Sequence, residues 1–206
     1  TNVGLTHSQT LLPLVEQILS CAQISFAEIG CYAVAVGPGS FTGVRIGVSL
    51  VKGLAFSGGV PCVPVSTLEA MACLFTGQKA NICCAMDARC GQVYNALFEI
   101  DGGAVTRLCE DRAISLAELG EELGKMQKSA FLVGDGAQLC YNTCLDMGIP
   151  AVLAPGNLVS QSAWGVAMAA FGQTPAPAEE LLPVYLRLSQ AERERQARLA
   201  AQAAQE

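Results

Sequence analysis

Residues Val34–Met71 read VAVGPGSFTGVRIGVSLVKGLAFSGGVPCVPVSTLEAM. The run finishes an apolar strand begun at Cys31 and turns through Gly37-Pro38-Gly39-Ser40-Phe41-Thr42-Gly43 into a helix over Val44 to Phe56. It then returns through a second apolar strand, Val60 to Val65, into another helix. Two fully apolar strands joined by a helix specify a parallel βαβ unit with a right-handed crossover, so the chain reads as an α/β protein. The glycine turn sits where helix amides lack intrahelical partners and the dipole favours negative charge, which makes it a candidate phosphate cradle. The plainer reading is that Gly37, Gly39 and Gly43, with Ser40 and Thr42 between them, only let the helix pack tightly on its strand.

Working outward, His7 to Ala22 is an apolar-rich helix in which Pro13 must lie in the first turn or cause a kink. Ser66 to Phe75 is a helix capped by Ser66 or Thr67, with Glu69 in its first turn. After Gly77 the pattern becomes strand-rich: Asn81 to Asp87, Gln92 to Ile100 and Ala104 to Glu110, the last two joined by the hairpin signal Asp101-Gly102-Gly103. A helix follows over Ser115 to Lys125, then a strand, Ala130 to Val133. Gly134-Asp135-Gly136 is a second glycine turn before a helix through Leu145, and a strand, Ala151 to Leu153, precedes a helix over Ser160 to Phe171. The order predicts two α/β lobes, 1–77 and 78–172, a proline-bearing linker over 173–188 and a helical tail over 189–206.

The chain has 206 residues, 51% of them hydrophobic and 15% charged, enough apolar material for a substantial core. Its net charge of −6 argues against holding a nucleic acid by neutralising phosphates, so a partner would have to bind any RNA. Of the ten cysteines, none form a Cys-x-x-Cys pair. Cys83 and Cys84, adjacent on a strand, should point to opposite faces, and Cys140 and Cys144 can meet at i, i+4 on a helix. With His7 as the one histidine, reduced buried thiols and no metal are the expectation. No apolar run reaches the roughly 18 residues of a membrane span, and the start lacks a signal peptide's pattern, so the chain reads as cytoplasmic.

The helices carry more apolar surface than one sheet can cover. Val44, Gly47, Val48, Val51, Leu54 and Ala55 make one stripe, and Ile46, Leu50 and Gly53 make a second beside it. In the first helix Leu11, Leu14, Val15 and Ile18 share a face that Leu12 and Leu19 widen. Either these helices are deeply buried or they meet another molecule.

Several blocks together resemble the TsaB (formerly YeaZ) family. They are His7 to Pro13, the GPGSFTGVRIGVSLVKGLAF block from Gly37 to Phe56, Pro64 to Ala70, Met86-Asp87-Ala88-Arg89 with Gln92-Val93-Tyr94, and Tyr185-Leu186-Arg187 with Ala191-Glu192-Arg193. The resemblance implies a two-lobed fold of the actin-like ATPase superfamily, with the family's first strands, including an Asp-Thr-Ser strand, missing ahead of Thr1. It implies a role in making threonylcarbamoyladenosine at adenosine 37 of tRNAs that read codons beginning with A. In that family the catalytic sister protein TsaD performs the transfer, TsaB pairs with it through first-lobe helices or forms a homodimer when alone, and the ATPase TsaE joins; tRNA is met only through the complex.

The contact residues so implied are His7, Leu11, Leu12, Leu14, Val15, Ile18, Arg45, Val48, Val51 and Lys52, and the glycine turn becomes a degenerate phosphate loop. Where TsaD carries two metal-ligating histidines, this chain has Thr67 and Met71, which cannot hold a hard or borderline divalent ion, so a non-catalytic subunit without cofactor is expected. The same loss, with no His-Glu-x-x-His motif, argues against an older metalloprotease reading of the family. Asp87 and Arg89 are expected to form a structural ion pair, His7 to be a cap or interface residue, and Asp135 a turn and cap residue. The competing reading is a phosphotransferase or ATPase that uses Gly37 to Gly43 and Gly134 to Gly136 as two phosphate loops.

Overall fold

The computed structural model describes residues 7–126, 128–187 and 198. The expected helical tail over 189–206 lies, position 198 apart, outside the described residues.

Helix α1 (His7–Ala22) leads to strand β1 (Tyr32–Gly37), helix α2 (Phe41–Gly58) and strand β2 (Cys62–Ser66). Pro13 falls inside α1, beyond the first turn. Strands β1 and β2 pair in parallel from Tyr32 opposite Cys62 to Ala35 opposite Val65, forming a two-stranded sheet crossed by α2. Helix α2 begins at Phe41, ahead of the expected Val44, because the Ser40 hydroxyl accepts from the Gly43 amide at 3.4 Å and so caps an earlier turn. It ends at Gly59, whose φ of 61° suits a glycine cap.

Helix α3 (Thr67–Ala72) is capped by Ser66, whose Oγ accepts from the Glu69 amide at 3.2 Å. The second sheet then forms from β3 (Lys79–Arg89), β4 (Gln92–Asp101), β5 (Ala104–Arg107) and β6 (Arg112–Ser115). Helix α4 (Leu116–Lys125), β7 (Ala130–Val133), α5 (Ala137–Asp146), β8 (Ala151–Leu153), α6 (Gly156–Val159) and α7 (Ala163–Ala170) follow. Strand order is β5-β4-β3-β7-β8, with β6 paired to β4.

Two expectations need correction here. The stretch Ala104 to Glu110 is not one strand: the Leu97 amide donates to Cys109 Sγ at 3.2 Å instead of to a carbonyl, the ladder breaks, and β6 resumes pairing lower on β4, opposite Gln92 to Asn95. The helix expected over Ser160 to Phe171 starts only at Ala163, because Ser162 serves as its cap and accepts from the Trp164 amide.

Cores lie on both faces of the larger sheet. Ile82, Cys84, Met86, Ala96, Phe98 and Ile100 pack under Leu68, Met71, Ala72 and Phe75 on one side. On the other, Cys83, Ala85, Val93 and Leu97 pack under Leu119 and Leu123 of α4 and Cys140 and Cys144 of α5. Cys83 and Cys84 therefore face opposite ways, as strand alternation requires. The small sheet is covered on one side by α2, through Val48 and Ala55 with Ala178 and Leu181, and on the other by α3, the turn after it and α7, through Ala70, Cys73 and Ala169 respectively. A polar clasp also joins the sheets: Arg107 on β5 pairs with Glu69 on α3 at 2.8 Å and with Asp111, which in turn accepts from Ser66 Oγ. Among the described residues no helix is long and apolar enough to cross a membrane.

Candidate functional site

Both glycine turns open onto one cleft of about 400 Å3, bounded by Pro38 to Phe41, the end of β3 at Met86 to Arg89, Asp135 and the segment Val184 to Arg187. The close approaches that the glycines permit are made by the protein's own backbone. Gly37 has φ 130°, and a Cβ there would run into the Val184 carbonyl; the Val184 amide donates to Val36 O at 2.8 Å. Gly134 has φ 102°, and a Cβ there would run into the Ala85 carbonyl, which accepts from the Gly136 amide at 3.1 Å. Each turn is thus fitted to a distant backbone segment, Val184 at Gly37 and Ala85 at Gly134, a role that neither the phosphate-cradle reading nor the helix-on-strand reading names.

The charges of the cleft are also committed internally. Asp87 accepts from the Arg89 amide at 2.7 Å and pairs with the Arg89 guanidinium at 3.2 Å, a structural ion pair at a strand end. Asp135 accepts from the Asp87 amide at 3.1 Å. The cap position of α5 is Gly136, so Asp135 does not cap that helix as expected; it fastens the turn to β3 instead. Arg89 and Arg187 line the same cleft as Asp87 and Asp135, so its charged side chains balance.

Helix α1 rests on α2, and Ser8, Leu11, Leu12, Arg45, Ile46, Ser49 and Leu50 line a shallow groove of about 320 Å3 between them. Leu14 is 36% and Ile18 65% exposed, with Ile24 and Phe26 also exposed just beyond α1. Val15 is half-buried, and the side chain of His7 lies outside the described residues.

The contact residues implied by the resemblance thus divide. Leu14, Ile18 and Arg45 are exposed, while Leu11 and Leu12 are half-buried along the groove. Val48, by contrast, is 2% exposed, in the cluster with Val36, Ala55, Cys62, Ala178 and Leu181, and Val51 packs against that cluster. Lys52 donates from Nζ to the carbonyls of Glu179 at 3.1 Å and Leu181 at 3.2 Å, so it holds the chain's own later segment. Of the two stripes on α2, the Val48 stripe covers β1 and β2, while Ile46 and Leu50 of the other line the groove. The sequence signal for both was present; only the fold assigns them sides.

Thr67 and Met71, the positions at which the resemblance implies histidines in the transferase, are 5% and 0% exposed and pack inside the core. Among the described residues no group of three or more His, Cys, Asp or Glu is placed to hold a metal ion. All ten cysteines are free thiols, and burial pushes Cys73 up to about 11 and Cys140 up to about 12. Neither is a nucleophile at neutral pH.

A family model described as TsaD, tRNA N6-adenosine threonylcarbamoyltransferase, matches residues 2–182. The tRNA threonylcarbamoyladenosine biosynthesis protein TsaB of Escherichia coli (strain K12) is 34% identical over 189 residues, 88% of this chain and 80% of that protein. Its counterpart in Bacillus subtilis (strain 168) is 31% identical over 187 residues, 90% of this chain and 82% of that protein. Among solved structures, YeaZ from Pseudomonas aeruginosa superposes with a TM-score of 0.71 at 27% identity, covering 88% of this chain and 86% of that one. Another, described as an uncharacterized protein with similarity to peptidase YEAZ from Pseudomonas aeruginosa, gives a TM-score of 0.76 at 27% identity, over 91% and 87%. The architecture is the YeaZ-like mixed α/β fold, in keeping with the actin-like superfamily, and the chain belongs to the TsaB (YeaZ) family of tRNA threonylcarbamoyladenosine biosynthesis proteins.

Proposed function

We propose that this chain is a non-catalytic scaffold subunit that pairs with and activates a TsaD-like transferase acting on adenosine 37 of tRNAs that read codons beginning with A. The transferase docks on the outer side of α1 and α2, across Leu11, Leu12, Leu14, Ile18 and Arg45. A TsaE-like ATPase joins the assembly, the free chain forms a homodimer through the same helices, and the complex works in the cytoplasm. Lobes 1–77 and 78–172 carry the partner face and the larger sheet respectively.

The observation that carries this reading is the apolar outer face of a helix pair whose inner stripe is already used by the core. Leu14 and Ile18 are exposed and continue into a groove of Leu11, Leu12, Ile46 and Leu50, a contiguous apolar patch of the kind that marks an interaction site. Buried Thr67 and Met71 in place of imidazoles support the absence of a transferase metal site. The net charge of −6 favours reaching tRNA through the partner.

Size-exclusion chromatography with light scattering, on the chain mixed with a TsaD homologue, tests the reading. A one-to-one complex is expected, lost on Ile18→Asp or Leu14→Asp with the monomer fold retained. A complex indifferent to both substitutions would place the contact elsewhere.

A further inference from the structure

The motif Tyr185-Leu186-Arg187 belongs to none of the hydrophobic cores, yet together with Val184 it spans the cleft from wall to wall. We infer that Val184 to Arg187 is a strap, a built-in occupant of the cleft that holds its two walls together where a bound ligand would otherwise do so. On the first wall the Val184 amide extends β1 by one hydrogen bond to Val36 O, and Gly37 leaves room for the Val184 carbonyl. The Tyr185 ring stacks on Phe41 at 4.0 Å between centroids with 17° between planes, and its Oη accepts from Arg45 Nε at 2.8 Å. The Arg45 guanidinium lies 4.2 Å over the Phe41 ring, so three side chains are layered on the first turns of α2.

On the opposite wall Arg187 Nη1 donates to the carbonyls of Ala88 and Arg89. These carbonyls sit at the end of β3, where Arg89 and Cys90 take positive φ and the ladder shifts register, leaving the strand end in need of a donor. Val184 and Tyr185 remain partly exposed, so directional contacts more than burial hold the strap. Arg45 also lines the groove between α1 and α2, which makes the strap the element that fixes one side chain of that outer face.

Hydrogen–deuterium exchange read by mass spectrometry on the full chain tests this with Tyr185→Ala and Arg187→Gln. If the strap bridges, each substitution accelerates exchange about fivefold or more at both walls, in peptides spanning 36–46 and 85–91, while peptides over 93–100 are unchanged. Acceleration confined to the wall that lost its own contact, or at neither wall, overturns the inference. Should Tyr185→Ala unfold the chain, Tyr185→Phe, which keeps the stack and loses the Arg45 bond, and Arg187→Lys decide by the same two-wall criterion.

Discussion

Val48 and Ile18 lie on neighbouring helices, and a carboxylate placed at each should have opposite consequences. At Val48, 2% exposed among aliphatic neighbours, Val48→Glu buries an unpaired charge and should cost more than about 3 kcal/mol in chemical denaturation. At Ile18, 65% exposed, Ile18→Asp should change stability by no more than about 0.5 kcal/mol and be felt only on partner binding. The thiols divide in the same way. Iodoacetamide at pH 8 should label exposed Cys21, Cys31 and Cys90 in the native chain and leave Cys83, Cys84 and Cys140 unlabelled until it unfolds, which peptide mapping reads directly. Cys140 also has a signed effect on stability. Its folded value, about 12, lies above the ordinary 9.0, so its contribution is intact below pH 9.0 and is lost as pH rises toward about 12; denaturation midpoints should fall across that window.

Among the elements, the clasp of Arg107 with Glu69 and Asp111 joins β5 to the start of α3, and its guanidinium also lies 4.8 Å over the Phe98 ring. Arg107→Ala leaves two carboxylates facing each other without a counter-ion and should lower stability by about 2 kcal/mol, as measured by urea titration. Such long-range pairing marks the boundary of what the sequence discloses. The βαβ unit was legible because its strands are continuous apolar runs and its turn glycines are punctuation, and both apolar stripes of α2 were legible from their period. Which stripe faces the sheet was not, since Val48 and Leu50 are chemically alike and only the position of β1 and β2 beneath the helix separates them. Strand β6 escaped notice because Arg112-Ala113-Ile114-Ser115 is short and begins with a charge; its pairing is supplied by β4. Both glycine turns read as candidate phosphate loops, whereas what approaches Gly37 and Gly134 is the carbonyls of Val184 and Ala85, from distant segments that leave no local mark.

At the scale of the molecule, the cleft between the two glycine turns is crossed by Val184 to Arg187. ATP with magnesium should therefore leave the melting temperature unchanged, because a ligand raises it only by binding the native state. The docking face proposed above is the outer side of α1 and α2, on a chain of net charge −6 that is ill-suited to gripping tRNA alone. The central claim is that the chain is required for the modification without performing it. Its most direct test is mass-spectrometric detection of threonylcarbamoyladenosine in unmodified tRNA, in a reconstituted mixture with the chain or the TsaD-like protein omitted in turn. Product is expected only when both are present; product formed without the TsaD-like protein, or in undiminished amount without this chain, would overturn the scaffold role.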